Sequence, residues 1–191
     1  DDVTYIECES ELHLIKEFLI FWEKHQPDII TGWNTEFFDI PYLCNRIKNL
    51  CGEEEIRRLS PWKNVSSRSV FKMGRNHQLY DIQGIAHLDY FDLYRKFTYV
   101  AQESYRLDHI AFIELGERKD GNPYETFRDW YTKDFQSFIE YNIMDVEIVD
   151  KLEDKMRLIE LCLTMAYDAK VNYMDVLGSV KYWDILIYNY L

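Results

Sequence analysis

Two aspartates in this 191-residue chain have the type and the setting of metal ligands. Asp39 follows a short apolar run, Asp28–Gly32, and a brief loop, and it precedes Pro41 by two residues, which places it near the first turn of a predicted helix. Asp145 lies four residues after Tyr141 within a long helical pattern. Hard divalent cations such as Mg²⁺ prefer carboxylate oxygens as ligands. Both acids are therefore candidate ligands.

Asp145 falls on the apolar face of its helix. At about 100° per residue, a stripe roughly 80° wide contains Tyr141, Asp145 and a set of apolar residues. The apolar members are Phe138, Val149, Leu152, Met156, Ile159 and Leu163, whereas the acids Glu140, Glu147, Asp150 and Asp154 fall on the opposite face. An inward carboxylate is costly unless it is compensated, and a metal, a core arginine or a neighbouring helix end would each compensate it. Position alone does not choose among these three.

Asp39 also has two interpretations. Aspartate at an N-cap stabilises a helix by about 0.5–2 kcal/mol relative to alanine, and position alone favours this role. The helix dipole would also hold the carboxylate ionised, as a metal ligand requires. Taken together, the two acids suggest a carboxylate cluster that holds hard divalent cations such as Mg²⁺. Two such ions about 4 Å apart can activate water and stabilise the leaving oxygen in phosphodiester cleavage. Tyr141, one turn from Asp145, is placed to orient that water.

The elements that must position these residues follow from periodicity. We predict a strand over Asp2–Cys8, a helix from Glu11, a buried strand over Asp28–Gly32 and a helix from Asp39. A single long helix is predicted over Lys133–Leu163. Further strand and helix patterns follow at 85–89, 91–97 and 180–190. This alternation is typical of an α/β protein.

Residues 56–80 contain no acid, and their six basic residues are Arg57, Arg58, Lys63, Arg68, Lys72 and Arg75. Residues 69–73 and 77–82 are predicted to pair as a β-hairpin across a turn at 74–76. The whole chain carries a net charge of −12, which by itself argues against binding to phosphates. A local basic segment, however, can still contact DNA.

Composition excludes several classes of protein. The apolar fraction of 47% and the aromatic fraction of 16% are those of a globular chain. No apolar run approaches the ~20 residues of a membrane helix, so no membrane partner is expected. The four cysteines lack the spacing of a zinc site, and a disulfide framework is not expected either.

Two segments resemble motifs of a known family. Residues 33–42 (WNTEFFDIPY) resemble the second exonuclease motif of family B DNA polymerases, and residues 141–145 (YNIMD) resemble the third. Residues 88–94 (LDYFDLY) and 105–108 (YRLD) are also similar to the family at comparable spacing. The likeness is strongest to polymerases of large tailed bacteriophages and runs from about Val3 to the end.

The resemblance implies a 3′–5′ proofreading exonuclease with a ribonuclease-H-like α/β fold and a mixed central sheet. In that family four carboxylates bind two metal ions, Mg²⁺ or Mn²⁺, and a tyrosine helps to place the attacking water. Asp39 and Asp145 match two of the four acids, and Tyr141 matches the tyrosine. The parent protein would be a DNA-directed DNA polymerase that acts in the cytoplasm of a bacterial host.

The resemblance also implies contacts with DNA. Asn34 matches a residue near the primer end, and residues 56–82 cover a β-hairpin that helps to separate primer from template. Lys72, Arg75 and Tyr80 are candidate DNA contacts there, and a solvated basic loop is the alternative. The implied partners are the primer 3′ end, the rest of the polymerase chain and a sliding clamp.

The family's first motif, Asp-x-Glu, has no match in this sequence. Glu7 and Glu9 offer a superficial likeness, but we interpret them as surface residues. We therefore expect residues 1–163 to be an N-terminally truncated exonuclease domain, inactive by itself, and residues 164–191 to lead toward a polymerase module. The alternative is a non-catalytic module that guides and separates DNA strands.

Overall fold

The computed structural model of the chain describes residues 4–72, 74–117 and 123–191. The chain divides into two compact units, Asp1–His87 and Leu88–Leu191. Both are built largely from helices, and the first also contains small β-sheets. The α/β class predicted from the sequence is thus confirmed.

Over its described residues, the first unit combines two α-helices with four strands. Its elements are α1 (Glu11–His25), β1 (Ile29–Ile30), α2 (Asp39–Cys51), a 3₁₀ helix (Glu53–Leu59), β2 (Val65–Lys72), β3 (Arg75–Ile82) and β4 (Ala86–His87). Ser10 caps α1 because its hydroxyl accepts a hydrogen bond from the His13 N–H at 3.2 Å. The helices predicted from Glu11 and from Asp39 are therefore both confirmed.

Each sheet in the described residues has two strands. β1 pairs with β4 in parallel, with Ile29 opposite Ala86, and β2 pairs with β3 in antiparallel register. The β2–β3 hairpin begins at Val65 and closes with Lys72 opposite Arg75, so Arg75 and Asn76 belong to β3. The hairpin is confirmed, but the predicted turn at 74–76 is wrong, and residue 73 lies outside the described residues.

The core of the first unit lies between α1, α2, the 3₁₀ helix and the base of the hairpin. Its buried members are Ile15, Leu19, Ile40, Cys44, Ile47, Ile56, Leu59, Ile82 and Ile85. Burial raises the pKa of the Cys44 thiol to about 12, so this cysteine packs as an apolar side chain.

The second unit is helical over the residues described. Its elements are α3 (Tyr90–Phe97), α4 (Leu107–Leu115), α5 (Phe127–Lys133), α6 (Phe135–Met156), α7 (Leu158–Ala169), a 3₁₀ turn (Tyr173–Leu177) and α8 (Ser179–Tyr190). α6 packs against both α4 and α5, and α7 packs against α3 and α8. The helix predicted near residues 180–190 is confirmed as α8.

The single helix predicted over Lys133–Leu163 is wrong, because the chain breaks it at Arg157. Arg157 adopts a left-handed backbone with φ of 52°, and α7 starts at the next residue. The Glu153 carboxylate accepts hydrogen bonds from the backbone N–H groups of Ile159 and Glu160 at 3.1 and 3.3 Å. A side chain of α6 therefore caps α7 and compensates the break.

The strand predicted over Asp2–Cys8 is also wrong for the part that is described. Residues 4–8 form no strand, and residues 1–3 lie outside the described residues. Glu7 and Glu9 are exposed, which confirms their interpretation as surface residues. Among the described residues, no helix combines the length and the apolar character that crossing a membrane requires.

Candidate functional site

The loop 33–38 connects β1 to α2 and carries Asn34. Gly32 precedes it, and a Cβ atom at that position would lie 2.4 Å from the Thr35 Cγ2 atom. Only a residue without a side chain lets the loop fold back this closely on the end of the strand. The glycine that ends the apolar run thus sets the path of the loop.

Thr35 ties the loop to the parallel strands and to the helix that follows. Its hydroxyl is hydrogen-bonded to the His87 Nε2 atom at 2.8 Å, and its carbonyl accepts the Ile40 N–H at 3.0 Å. His87 lies at the end of β4, beside Ile30. The sequence did not identify Thr35 as the hydrogen-bonding partner of His87, because the two residues are 52 positions apart.

Asp39 is exposed and is the first residue of α2. The N-cap position belongs to Phe38, which makes no side-chain capping hydrogen bond. The N-cap interpretation of Asp39 is therefore wrong by one position, whereas its place in the first turn, where the helix dipole favours a carboxylate, is confirmed. Asn34 is exposed in the same loop, with φ of 64°, and its carbonyl accepts the Phe38 N–H at 3.2 Å.

In the second unit, Tyr141 and Asp145 lie one turn apart near the middle of α6. Both are half-buried, whereas Glu140, Glu147, Asp150 and Asp154 of the same helix are exposed. Leu152 of the predicted stripe is buried, and so is Ile148, which the stripe did not include. The helical wheel therefore placed Tyr141 and Asp145 on the inward side of α6 but omitted one of its two buried residues.

The Tyr141 ring packs in an aromatic cluster formed between α5 and α6. Its centroid lies 4.7 Å from that of Trp130 and 6.3 Å from that of Phe127. Trp130 is buried and donates a hydrogen bond from Nε1 to the Ser137 hydroxyl at 3.2 Å. This cluster fixes the tyrosine ring, and the sequence analysis did not find it because the short helix α5 was not predicted.

The basic segment 56–80 is less positive in the folded unit than in the sequence. Four of its six cations form ion pairs with glutamates that lie outside the segment or at its edge: Arg57 with Glu54, Arg58 with Glu23 and Glu55, Lys63 with Glu23, and Arg68 with Glu36. Arg58 and Lys63 together lower the pKa of the Glu23 carboxyl to about 2. Within the described residues, the two cations of the segment for which no ion pair with a carboxylate is found are Lys72 and Arg75.

These two cations stand opposite each other at the outer end of the hairpin. Lys72 lies over the Phe37 ring, with Nζ 3.9 Å from the centroid, and Arg75 is exposed. Phe71, on the opposite face, is 73% exposed and is an aromatic ring that the sequence analysis did not single out. Tyr80 lies nearer the base, where its hydroxyl donates to the Asn45 Oδ1 atom at 3.0 Å and burial raises its pKa.

The carboxylates of Asp39 and Asp145 are hard oxygen donors, which is the chemistry that Mg²⁺ or Mn²⁺ requires. Within residues 4–72, 74–117 and 123–191, however, no three or more His, Cys, Asp or Glu side chains come close enough together to hold a metal ion. Each of the two aspartates fits a divalent cation by donor type.

The family model and the most similar relatives agree on one protein family. The family model for the DNA polymerase family B exonuclease domain matches residues 1–110. The chain is 40% identical over 193 aligned residues to the DNA-directed DNA polymerase of Escherichia phage RB69, and 37% identical over 194 to that of Enterobacteria phage T4. Both alignments cover the whole chain and 21% of the relative.

A more distant relative is the DNA polymerase catalytic subunit of Equine herpesvirus 1 (strain Ab4p), 28% identical over 159 residues, which covers 78% of the chain and 12% of the relative. The chain thus spans about a fifth of the length of the phage polymerases that it matches. The family model covers more than half of the chain and includes Asn34, Asp39 and the hairpin. This chain belongs to the exonuclease domain family of family B DNA polymerases.

Proposed function

We propose that this chain forms the 3′–5′ proofreading exonuclease part of a phage-type, DNA-directed DNA polymerase. The most direct support comes from where the two motif-like segments lie: one leads into α2, and the other lies on α6. Asp39 opens α2 after a tightly anchored loop, and Tyr141 and Asp145 share the inward face of α6. The fold we expect for the complete domain is ribonuclease-H-like, with residues 1–163 in the exonuclease and 164–191 leading toward the polymerase module.

In this proposal Asp39 and Asp145 are two of the carboxylate ligands of Mg²⁺ or Mn²⁺. When bound, the metal supplies Lewis-acid stabilisation of charge on the phosphodiester oxygens. The Tyr141 hydroxyl, held by the ring contact with Trp130, orients the water that attacks the terminal phosphodiester. The family's two further carboxylate ligands belong to its Asp-x-Glu motif, which this sequence does not match.

The substrate in this proposal is the 3′ end of a DNA primer, single-stranded or frayed. Asn34 contacts the primer end from the loop that also leads to Asp39. Lys72 and Arg75 contact phosphates from the outer end of the hairpin, and Tyr80 supports the hairpin from its base. The protein acts in the cytoplasm of a bacterial host, with the rest of the polymerase and a sliding clamp as partners.

The alternative, a non-catalytic module that only guides DNA, is not favoured. The matching family is defined as an exonuclease domain, and the chain retains both an acid and a tyrosine on α6 that a guiding module has no need of. A guiding role for the hairpin is compatible with excision, because the two functions use different residues of the first unit.

The test is release of mononucleotides from a 5′-labelled single-stranded oligonucleotide by the protein produced from its complete gene. We expect Asp39→Ala and Asp145→Ala each to lower the rate of nucleotide release by more than roughly 10- to 100-fold. That range is typical when the changed residue only supports a metal ligand. Tyr141→Phe should slow release without abolishing it. Asp150→Ala, an exposed acid on the same helix as Asp145, is the matched control and should retain the wild-type rate.

Two results would contradict the proposal. A wild-type protein that releases no nucleotide in Mg²⁺ or Mn²⁺ would exclude the exonuclease function. Wild-type excision that survives Asp39→Ala or Asp145→Ala would leave the function in place but exclude these residues as ligands.

A further inference from the structure

The outer half of the β2–β3 hairpin lies against the loop 33–38, and three side-chain contacts join the two segments. The Arg68 Nη2 atom lies 3.1 Å from the Glu36 Oε1 atom. The Lys72 Nζ atom lies 3.9 Å from the centre of the Phe37 ring. The His77 ring meets the same ring edge-on, with centroids 5.5 Å apart and planes at 85°. Two adjacent loop residues therefore contact three residues of the hairpin.

The three hairpin residues share one face. Arg68 and Lys72 are four residues apart on β2, and His77 is opposite Val70, so alternation along the strands puts all three on the same side. On this side Val70 and His77 are half-buried, whereas Phe71 on the other side is 73% exposed. The outer half of the hairpin therefore covers the loop with one face and exposes the other to solvent.

Contacts at both ends set the orientation of the hairpin. A two-stranded hairpin alone is marginally stable in water, so its position depends on what it packs against. At the base, Ile82 belongs to the core and the Tyr80 hydroxyl is bonded to Asn45. Further out, the contacts with Glu36 and Phe37 hold it. Without them, the outer end, with Lys72 and Arg75, would pivot about the base.

The two loop residues that contact the hairpin lie beside the proposed site residues in the sequence. Glu36 and Phe37 lie between Asn34 and Asp39, the two residues of the first unit that the proposed function assigns to primer end and metal. The loop is held on its other side by the bond between Thr35 and His87. A displacement of the hairpin would therefore act on a short, anchored loop that carries the proposed site.

We propose that the Glu36–Arg68 ion pair makes Arg68 a positioning residue for excision at duplex ends, an inference that rests on the proposed exonuclease function. The pair holds the hairpin in a fixed place relative to the loop. If the hairpin parts the strands, as the family resemblance implies, its position then decides whether the primer end reaches Asn34 and Asp39. A single strand needs no parting, and its excision does not depend on this pair.

The expected size of the effect follows from the exposure of the pair. The Arg68 side chain is 62% exposed and that of Glu36 is 24% exposed, so the pair is a partly screened surface interaction. Reversing one charge replaces attraction with repulsion. The relevant quantity is the excision rate on a mismatched primer–template divided by the excision rate on a single strand. We expect Arg68→Glu to lower this ratio by roughly three- to tenfold.

The experiment compares three variants in the protein produced from its complete gene. Arg68→Glu breaks the ion pair, and the charge swap Glu36→Arg with Arg68→Glu restores it in reverse. Arg57→Glu is the matched control, because Arg57 is exposed to a similar extent, 58%, and pairs with Glu54 in the 3₁₀ helix, outside the hairpin. The readouts are the two excision rates and the thermal unfolding midpoint of each protein.

The inference is supported if Arg68→Glu lowers the ratio, the charge swap returns it toward wild type, and Arg57→Glu leaves it unchanged. Equal losses on both substrates, or a loss that the swap does not reverse, would overturn it. An unchanged ratio in an active Arg68→Glu protein would overturn this inference alone. A wild-type protein that is inactive on single strands would overturn the proposed function, and the inference with it.

Discussion

The two candidate acids are held in place by different physical means. Asp39 lies at a junction of loop and helix whose position depends on a few individual contacts, chiefly the close approach of Gly32 to Thr35 and the bond from Thr35 to His87. Asp145 lies within a 22-residue helix, and its position depends on packing distributed along that helix. Single polar contacts should therefore matter most for the first acid, and buried volume for the second.

The largest effect is expected from a cavity in the packing behind Asp145. Leu152 is fully buried on α6, and Leu152→Ala should lower the free energy of unfolding by about 2–5 kcal/mol, because the lost contacts and the cavity both cost stability. Chemical denaturation followed by circular dichroism measures this. Val146→Ala, at a 71% exposed position of the same helix, should stay within about 0.5 kcal/mol of wild type. Equal effects of the two changes would mean that packing does not hold α6.

The second-largest effect is expected at the close approach of Gly32 to the Thr35 side chain, in the loop that leads to Asp39. Gly32→Ala would place a Cβ atom 2.4 Å from the Thr35 Cγ2 atom, and rotating Thr35 away would break its bond to His87. We expect a loss of about 1–3 kcal/mol in stability, as for an overpacked site. Excision should fall with it, because the loop carrying Asn34 must shift.

A second substitution tests this explanation. Thr35→Ser removes the clashing methyl group and keeps the hydroxyl, so Gly32→Ala combined with Thr35→Ser should recover most of the stability and of the excision rate. If the double variant is no better than Gly32→Ala alone, the clash is not the reason for the glycine.

A smaller effect isolates the hydrogen bond itself. Thr35→Val keeps the shape of the side chain but leaves the His87 Nε2 atom without this partner, which should cost about 0.5–1.5 kcal/mol. The excision rate should drop, whereas Thr132→Val, which removes a hydroxyl bonded only to the backbone of its own helix, should leave it unchanged. A Thr35→Val protein with wild-type excision would show that the loop is held by its other contacts.

Local patterns in the sequence predicted much of the fold around both acids. The period of α6 identified Tyr141 and Asp145 on the inward face, and the apolar run before Gly32 with the helix from Asp39 bracketed the loop correctly. These features depend on neighbours within a turn or two, which is the range over which periodicity carries information.

The errors came from two sources. The break at Arg157 involves neither glycine nor proline, and it is compensated by Glu153, so the apolar period continues through it without a signal. The basic segment appeared as a net positive patch in part because two of its acidic partners are distant in sequence: Glu23 lies 35 residues from Arg58, and Glu36 lies 32 residues from Arg68. Composition counts charges, whereas the fold decides which of them are paired.

The smallest expected effect tests whether charged contacts stabilise the first unit. The Glu23 side chain bridges Arg58 and Lys63, at 2.7 and 2.8 Å, and the two cations lower its pKa from the ordinary 4.5 to about 2. A carboxyl with a lowered pKa contributes stability that is fully present above the unfolded pKa and is lost as the pH falls through the folded one. The loss should therefore occur between about pH 4.5 and pH 2.

Glu23→Gln removes this ionisation, so its stability should depend less on pH within that window, and at pH 7 it should lie below wild type by about 1 kcal/mol or less, since the Glu23 side chain is 30% exposed. Hydrogen exchange measured on peptides from α1 and the 3₁₀ helix would locate the change in the first unit. Peptides from α6 serve as the internal control, because that helix is held by packing. If the α6 peptides lose as much protection as those of α1, the contrast between polar anchoring in one unit and apolar packing in the other does not hold.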